Sequence, residues 1–204
     1  MKKLFALVTA LLIAAPAFAQ GQYQYTELKP PQTVEAEAKK IEVAEFFWYG
    51  CPHCYNLEPY IERWQKSIGP DVQFRRIPAV FNQRWGHDAA IYYTLEALGL
   101  VEKLHRPLFD AIHRDRLDTA NAEAFSQWLQ KQGVEPKKFI DTMKSFGVQS
   151  KLKRAVQLTT AYKIDGTPAM AVQGRYTISA DQGRSQQGML DTVNYLVDQV
   201  RKAK

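Results

Sequence analysis

The sequence predicts an α/β fold, a central mixed sheet flanked by helices and interrupted by an all-helical insertion. Three observations carry this. An apolar run at residues 41–48 stops at Gly50 and gives way at once to a helical repeat. From Gly86 to about Tyr162 the apolar spacing is helical throughout. Two short β-prone runs around Gln173-Gly174 then return the chain to a sheet before a last amphipathic helix.

Taken in order, a polar, proline-bearing lead (residues 20–32) holds a short strand within 23–28. Residues 41–48 are apolar on both faces except at Glu42 and Glu45, the composition of a central strand covered on both sides. Leu57, Tyr60, Ile61, Trp64 and Ile68 recur at helical spacing, so residues 52–68 form a helix with a buried stripe. Pro59 lies inside it, removes one helical hydrogen bond and should kink it. Residues 72–80 read as the next strand, with Pro78 marking its end.

Within 86–162, apolar groups such as Ile91, Leu95 and Leu98, then Phe125, Trp128 and Leu129, then Leu152 and Val156, define four or five helices. Gly99, Gly133 and Gly147 are the expected C-caps, and Pro136 starts a helix. Residues 168–172 and 175–178 flank Gln173-Gly174 as an antiparallel hairpin. Ser185 caps a final helix carrying Met189, Val193, Leu196, Val197 and Val200 on one face. The expected organisation is a sheet-bearing domain of residues 20–85 and 163–204, split by a helical insertion at 86–162.

Lys2 and Lys3, an apolar stretch at 4–15 and the small-residue site Ala17-Phe18-Ala19 predict a secretory signal peptide over residues 1–19, cleaved after Ala19. Its apolar run is too short to span a bilayer comfortably. Cleavage removes two lysines and no acid, so the formal charge falls from +6 to +4, a mild basicity that solvated helix faces account for. No nucleic-acid-binding motif is present, and export argues against one.

Exported proteins usually spend cysteines on structural disulfides, but Cys51 and Cys54 are the only two here. A four-residue ring constrains the unfolded chain little, so a purely stabilising role fits poorly. Zinc fits poorly as well: there is no second Cys-x-x-Cys, and His87, His105 and His113 lie in the helical stretch, so no metal site is expected. The remaining chemistry is cycling between dithiol and disulfide. Cys51 falls at a helix N-terminus, where unpaired N–H groups and the helix dipole favour a thiolate. Pro52 suits the first helical position, His53 can add a donor or positive charge, and Cys54, a turn deeper, is better shielded. Cys51 is thus the expected nucleophile and Cys54 the resolving thiol.

Glu45 alternates with Val43 and Phe47 on one strand face. Its carboxyl should be desolvated, with a raised pKa, and able to exchange a proton with Cys54; a strand-end glutamate reaching water is the alternative. Glu58, one turn beyond Cys54, either modulates the site or sits on a solvated helix face. Phe46, Phe47, Trp48 and Tyr49 read as core or site wall.

Glu45-Phe46-Phe47 six residues before Cys51, Cys51-Pro52-His53-Cys54, Pro59, and Thr167-Pro168 just before a strand together resemble the DsbA family. The resemblance covers nearly the whole chain after the signal peptide. It implies a thioredoxin fold carrying an inserted helical domain, and a periplasmic thiol:disulfide oxidoreductase with no cofactor beyond its redox-active cysteine pair. It also implies that Thr167-Pro168 is a cis-proline loop beside the nucleophile that receives an extended substrate. Two departures stand out: Thr167 occupies a position where the family commonly has valine, and residues 72–76 (Val72-Gln73-Phe74-Arg75-Arg76) lack the lysine that some members place near the buried acid.

The expected activity is oxidation of exported proteins with free cysteines, through a mixed disulfide at Cys51, by a monomer re-oxidised by a membrane quinone-linked DsbB-type partner. A reductase or isomerase of the same fold, or a periplasmic chaperone-like binding protein, is the alternative.

Overall fold

The computed structural model describes residues 22–203. The expected signal peptide and its cleavage site lie outside them. Five strands, β1 (Thr26–Glu27), β2 (Ile41–Phe47), β3 (Val72–Pro78), β4 (Ala169–Val172) and β5 (Tyr176–Ser179), form one sheet in the order β1-β5-β4-β2-β3. Only β2 and β3 run parallel. Their connection is α1 (Pro52–Gln65), which carries Pro59 in its interior, while α2 (Gln83–Ala97), α3 (Val101–His113), α4 (Ala122–Lys131), α5 (Pro136–Met143) and α6 (Phe146–Ala161) separate β3 from β4. The chain ends in α7 (Ala180–Gly183) and α8 (Gln186–Lys202). This is a thioredoxin-like α/β fold with a helical block inserted into it, the fold class expected from the sequence.

Every residue of β2 is buried, because helices cover both faces of the sheet. Side chains alternate across a strand, so β2 feeds two cores. On one face Ile41 and Val43 join Met170, Val172 and Ile178 against Leu57, Ile61 and Trp64 of α1 and Met189, Val193 and Leu196 of α8. On the other, Ala44, Phe46 and Ala171 meet the helical block, with Phe46 5.1 Å from the ring of Tyr162. Truncating a residue as enclosed as Ile61 to alanine would cost roughly 2–5 kcal/mol.

Gln173 and Gly174 both take left-handed φ values (52° and 60°), the geometry of a tight hairpin turn between β4 and β5. A Cβ on Gly174 would lie 2.1 Å from the carbonyl oxygen of Gln32, so glycine is required there.

Several boundaries differ from the sequence expectation. Gly99 and Gly133 do end helices with φ of +68° and +77°, but Gly147 lies inside the first turn of α6 and caps nothing. Ser145 does that work from the other side, its side chain accepting from Val148 N–H as the N-cap of α6. Likewise Asn82 starts α2 at Gln83, three residues before the apolar repeat becomes visible. The four-residue α7, held by a reciprocal Ser179/Gln182 capping box, is too short to show any periodicity.

Candidate active site

The site begins where β2 runs out. After Phe47 the chain turns, Cys51 N–H donates to the Trp48 carbonyl at 3.0 Å, and α1 starts. A Cβ on Gly50 would stand 2.3 Å from the Trp48 indole, so glycine lets that ring fold back over the turn. There the indole stacks on Trp85 at 4.3 Å and its N–H donates to Asp88 at 2.7 Å.

Cys51 is the N-cap itself, with extended φ/ψ (−86°, 115°), and its sulfur accepts from Cys54 N–H at 3.4 Å. Pro52 at the first helical position sacrifices no hydrogen bond. A sulfur in this position faces the unpaired N–H groups and the positive end of the helix.

Both cysteines are free thiols. Their environments drive them apart. The Cys51 thiol is lowered to about 5, first by a hydrogen bond from Cys54, then, against the opposing effect of burial, by the Thr167 side chain and the backbone N–H groups of Cys54 and His53. Cys54 is fully buried and pushed well up, by burial first, then by its bond to Cys51 and the nearby charges of Cys51 and Glu45. The Thr167–Pro168 peptide is cis and sets the Thr167 carbonyl 3.3 Å from the Cys51 sulfur. A carbonyl only accepts, so it can bond the thiol but not the thiolate, which is served instead by the Thr167 side chain and the helix N–H groups.

Behind the cysteines lies a buried ionic chain. Glu45 and Glu58 are both completely buried and share one guanidinium. Arg76 Nη2 donates to Glu58 at 2.9 Å, its Nε lies 3.4 Å from the other Glu58 oxygen, and the same Nε sits 3.3 Å from Glu45. His105 adds a contact to Glu58 from Nε2 at 3.2 Å, and its Nδ1 meets the Tyr49 hydroxyl at 2.8 Å. Neither Glu45 oxygen accepts a hydrogen bond.

The two carboxyls therefore differ. Glu45 is raised to about 8, by burial first and by the Glu58 charge second, with Arg76 pulling the other way. Burial also acts on Glu58, but the His105 hydrogen bond and charge, followed by those of Arg76, outweigh it and hold Glu58 below the usual range. His105 is itself pushed down by its complete enclosure, against the upward pull of the Glu58 hydrogen bond and charge.

The residues singled out from the sequence converge here. Cys51, Cys54, Thr167 and Pro168 meet at the end of α1, and Glu45 lies beneath them. Glu58 is not on a solvated helix face; it is inside the protein, bonded to Arg76 and His105. Pro52 and His53 are exposed. His53 acts on Cys51 through its backbone N–H, while its imidazole lines a groove of about 340 Å³ with Leu57, Pro168, Arg184 and Met189.

Sequence reasoning missed Arg76 and His105. Arg76 was legible in principle, since it stands directly across from Glu45 in the parallel β2/β3 register, an opposite charge facing an interior acid. His105 comes from a helix 47 residues after Glu58, with no local pattern to announce it.

Known proteins agree with this geometry. The family described as the DSBA-like thioredoxin domain matches residues 61–191. The thiol:disulfide interchange protein DsbA of Azotobacter vinelandii is 39% identical over 98% of this chain and 94% of its own length. That of Bordetella parapertussis is 41% identical over 97% and 94%. The crystal structure of Pseudomonas aeruginosa DsbA superposes with a TM-score of 0.83 at 36% identity, covering 89% of this chain and 94% of that one. With a cysteine pair at a helix N-terminus beside a cis-proline, and relatives matched over nearly their full length, this chain belongs to the DsbA family of thioredoxin-fold thiol:disulfide oxidoreductases.

Proposed function

We propose that the protein is an exported dithiol oxidase working from Cys51. A substrate thiolate attacks the Cys51 sulfur of the Cys51–Cys54 disulfide, the S–S bond breaks, and Cys54 leaves and takes the proton of Glu45. The second substrate thiolate then attacks the substrate sulfur of the mixed disulfide. The substrate departs oxidised, having lost two electrons, and Cys51 is released as a thiolate.

The observation that carries this reading is the contrast between the thiols. Stabilising the Cys51 thiolate favours the reduced protein and makes its disulfide a strong oxidant, behaviour for which DsbA proteins are the standard example. Glu45, raised to about 8, holds a proton at neutral pH, and the higher pKa of Cys54 draws that proton over as the bond opens.

Substrates are exported chains with free cysteines, received along the groove of His53, Pro168 and Met189 beside the cis-proline loop. Action in the periplasm follows from the expected signal peptide, and re-oxidation falls to a membrane quinone-linked partner of the DsbB type. The thioredoxin-like unit (20–85, 163–204) carries the chemistry, the helical insertion (86–162) covers it, and the unit works as a monomer with no cofactor.

The test is the equilibrium of Cys51–Cys54 with glutathione. The oxidase reading expects glutathione to reduce the protein almost completely at millimolar concentrations. A disulfide that survives those conditions would instead mark a reducing, thioredoxin-like protein.

A further inference from the structure

Two buried carboxyls share one arginine, and something must decide which of them stays charged. Arg76 already leans toward Glu58, donating from Nη2 at 2.9 Å and from Nε at 3.4 Å, whereas it meets Glu45 only through Nε, 3.3 Å away. A second asymmetry, in the same direction, comes from α3. His105 is 5% exposed and reaches Glu58 but not Glu45. Its tautomer follows from Glu58: a carboxylate only accepts, so a neutral ring bonded to it carries its proton on Nε2, and the bare Nδ1 can then accept from the fully buried Tyr49 hydroxyl at 2.8 Å. Phe47 and Phe109 set their rings edge-on to the imidazole at 5.3 and 5.1 Å and fix its plane.

We propose that His105 is a positioning residue for thiol–disulfide exchange. By donating from Nε2 to Glu58 it keeps Glu58 ionised through the mildly acid range, so that Arg76 stays engaged by Glu58 and Glu45 is reserved as the carboxyl that carries the proton. This deepens the proposed role of Glu45 and rests on that reading. The groups bearing on the titration are few. Glu58 is faced by His105 from α3, Arg76 from β3 and Glu45 from β2; His105 is faced by Tyr49, Tyr92, Arg76 and Glu102 of its own helix. In an exported protein the device has a use, since a site outside the cytoplasm meets changes of external pH that the cytoplasm buffers.

The experiment is a carboxyl ¹³C titration of Glu45 and Glu58 in the intact reduced protein, set beside the pH profile of its exchange rate with glutathione. In His105→Leu, which removes the donor but keeps the bulk, the Glu58 midpoint should rise by about one pH unit or more, the scale of a lost N–H bond to a buried carboxylate. A new acid step in the exchange rate should track that midpoint. His105→Gln, which can place an N–H where Nε2 stands, should restore both.

A role confined to packing would lower stability and scale the rate at all pH values without moving the Glu58 midpoint. A midpoint unmoved within a few tenths of a unit in His105→Leu, or moved equally far in His105→Gln, overturns the proposal. ¹⁵N spectra of the unmutated protein test it even if a variant does not fold: a neutral ring protonated on Nε2 is expected, and an imidazolium or an Nδ1-protonated ring at neutral pH refutes it. The carboxyl titration is blind to the direction of electron flow, so its failure is separate from failure of the oxidase reading.

Discussion

Replacing Glu45 by glutamine should stabilise the fold at neutral pH and leave it nearly unchanged in acid. Glu45 is raised from an ordinary 4.5 to about 8 in the folded protein, so between those values the folded state holds a proton that the unfolded chain has released. Stability therefore falls as pH rises through this window and levels off above it. Integrated to pH 7, the loss is roughly 3 kcal/mol. Glutamine has the shape of the protonated acid and no proton to lose, so it escapes this term. Arg76 is not stranded by the change, because it keeps Glu58 at 2.9 Å.

The expected gain is roughly 2–3 kcal/mol at pH 7, a rise of about 5–10 °C in melting midpoint for a domain of this size, shrinking towards zero at pH 4. It should be larger in the reduced protein, where the Cys51 thiolate adds to the charge that Glu45 must face. Thermal melts of both proteins at the two pH values, in one redox state, decide it. Equal midpoints at pH 7, or a gain of the same size at pH 4, would show that Glu45 is not held protonated by its surroundings.

Three further outcomes follow from the thiol environments. In the reduced protein at pH 6, timed alkylation read by mass spectrometry should label Cys51 at least about a hundredfold faster than Cys54; equal rates would reverse the assignment of nucleophile. Thr167→Val, which deletes a group that favours the thiolate, should shift the midpoint of Cys51 alkylation to higher pH, and an unmoved midpoint would mean that the hydroxyl has no hold on the sulfur. Reduction should raise the unfolding temperature near neutral pH, because the lowered Cys51 pKa stabilises only the open dithiol. That gain is fully present above the ordinary thiol pKa and is lost as pH falls through about 5, so melts of the two redox forms should converge there, and a more stable oxidised form at pH 7 would contradict the oxidase reading.

The sheet and the thiol pair were readable because their signals are local. A strand enclosed on both faces writes itself as an apolar run, and Cys-Pro-x-Cys after a glycine places its own helix start. Glu45 was readable for the same reason, as an acid inside such a run. Glu58 was ambiguous because its neighbours in the sequence do not reveal what covers it: α3 lies over that face of α1 and brings His105 with it. Arg76 lay in plain sight but required the β2/β3 register to be known. Gly147 misled because glycine was read as a stop, whereas Ser145 two residues earlier was already capping the next helix. Local patterns thus marked the cysteine pair and Glu45, and pairing between distant segments supplies the neighbours that shift them.

Cys51 and Thr167 stand 116 residues apart in the chain, and β4, which follows Thr167-Pro168, enters the sheet between β2 and β5. A chain that emerges from its N-terminus exposes Cys51-Pro52-His53-Cys54 early and completes its surroundings last. Until the final forty residues arrive, β2 has an open edge on one side and Cys51 lacks the loop that helps hold its thiolate. The local part of the thiolate's surroundings, Cys54 and the first N–H groups of α1, comes with the motif itself, whereas the Thr167 contribution is added only when β4 pairs with β2.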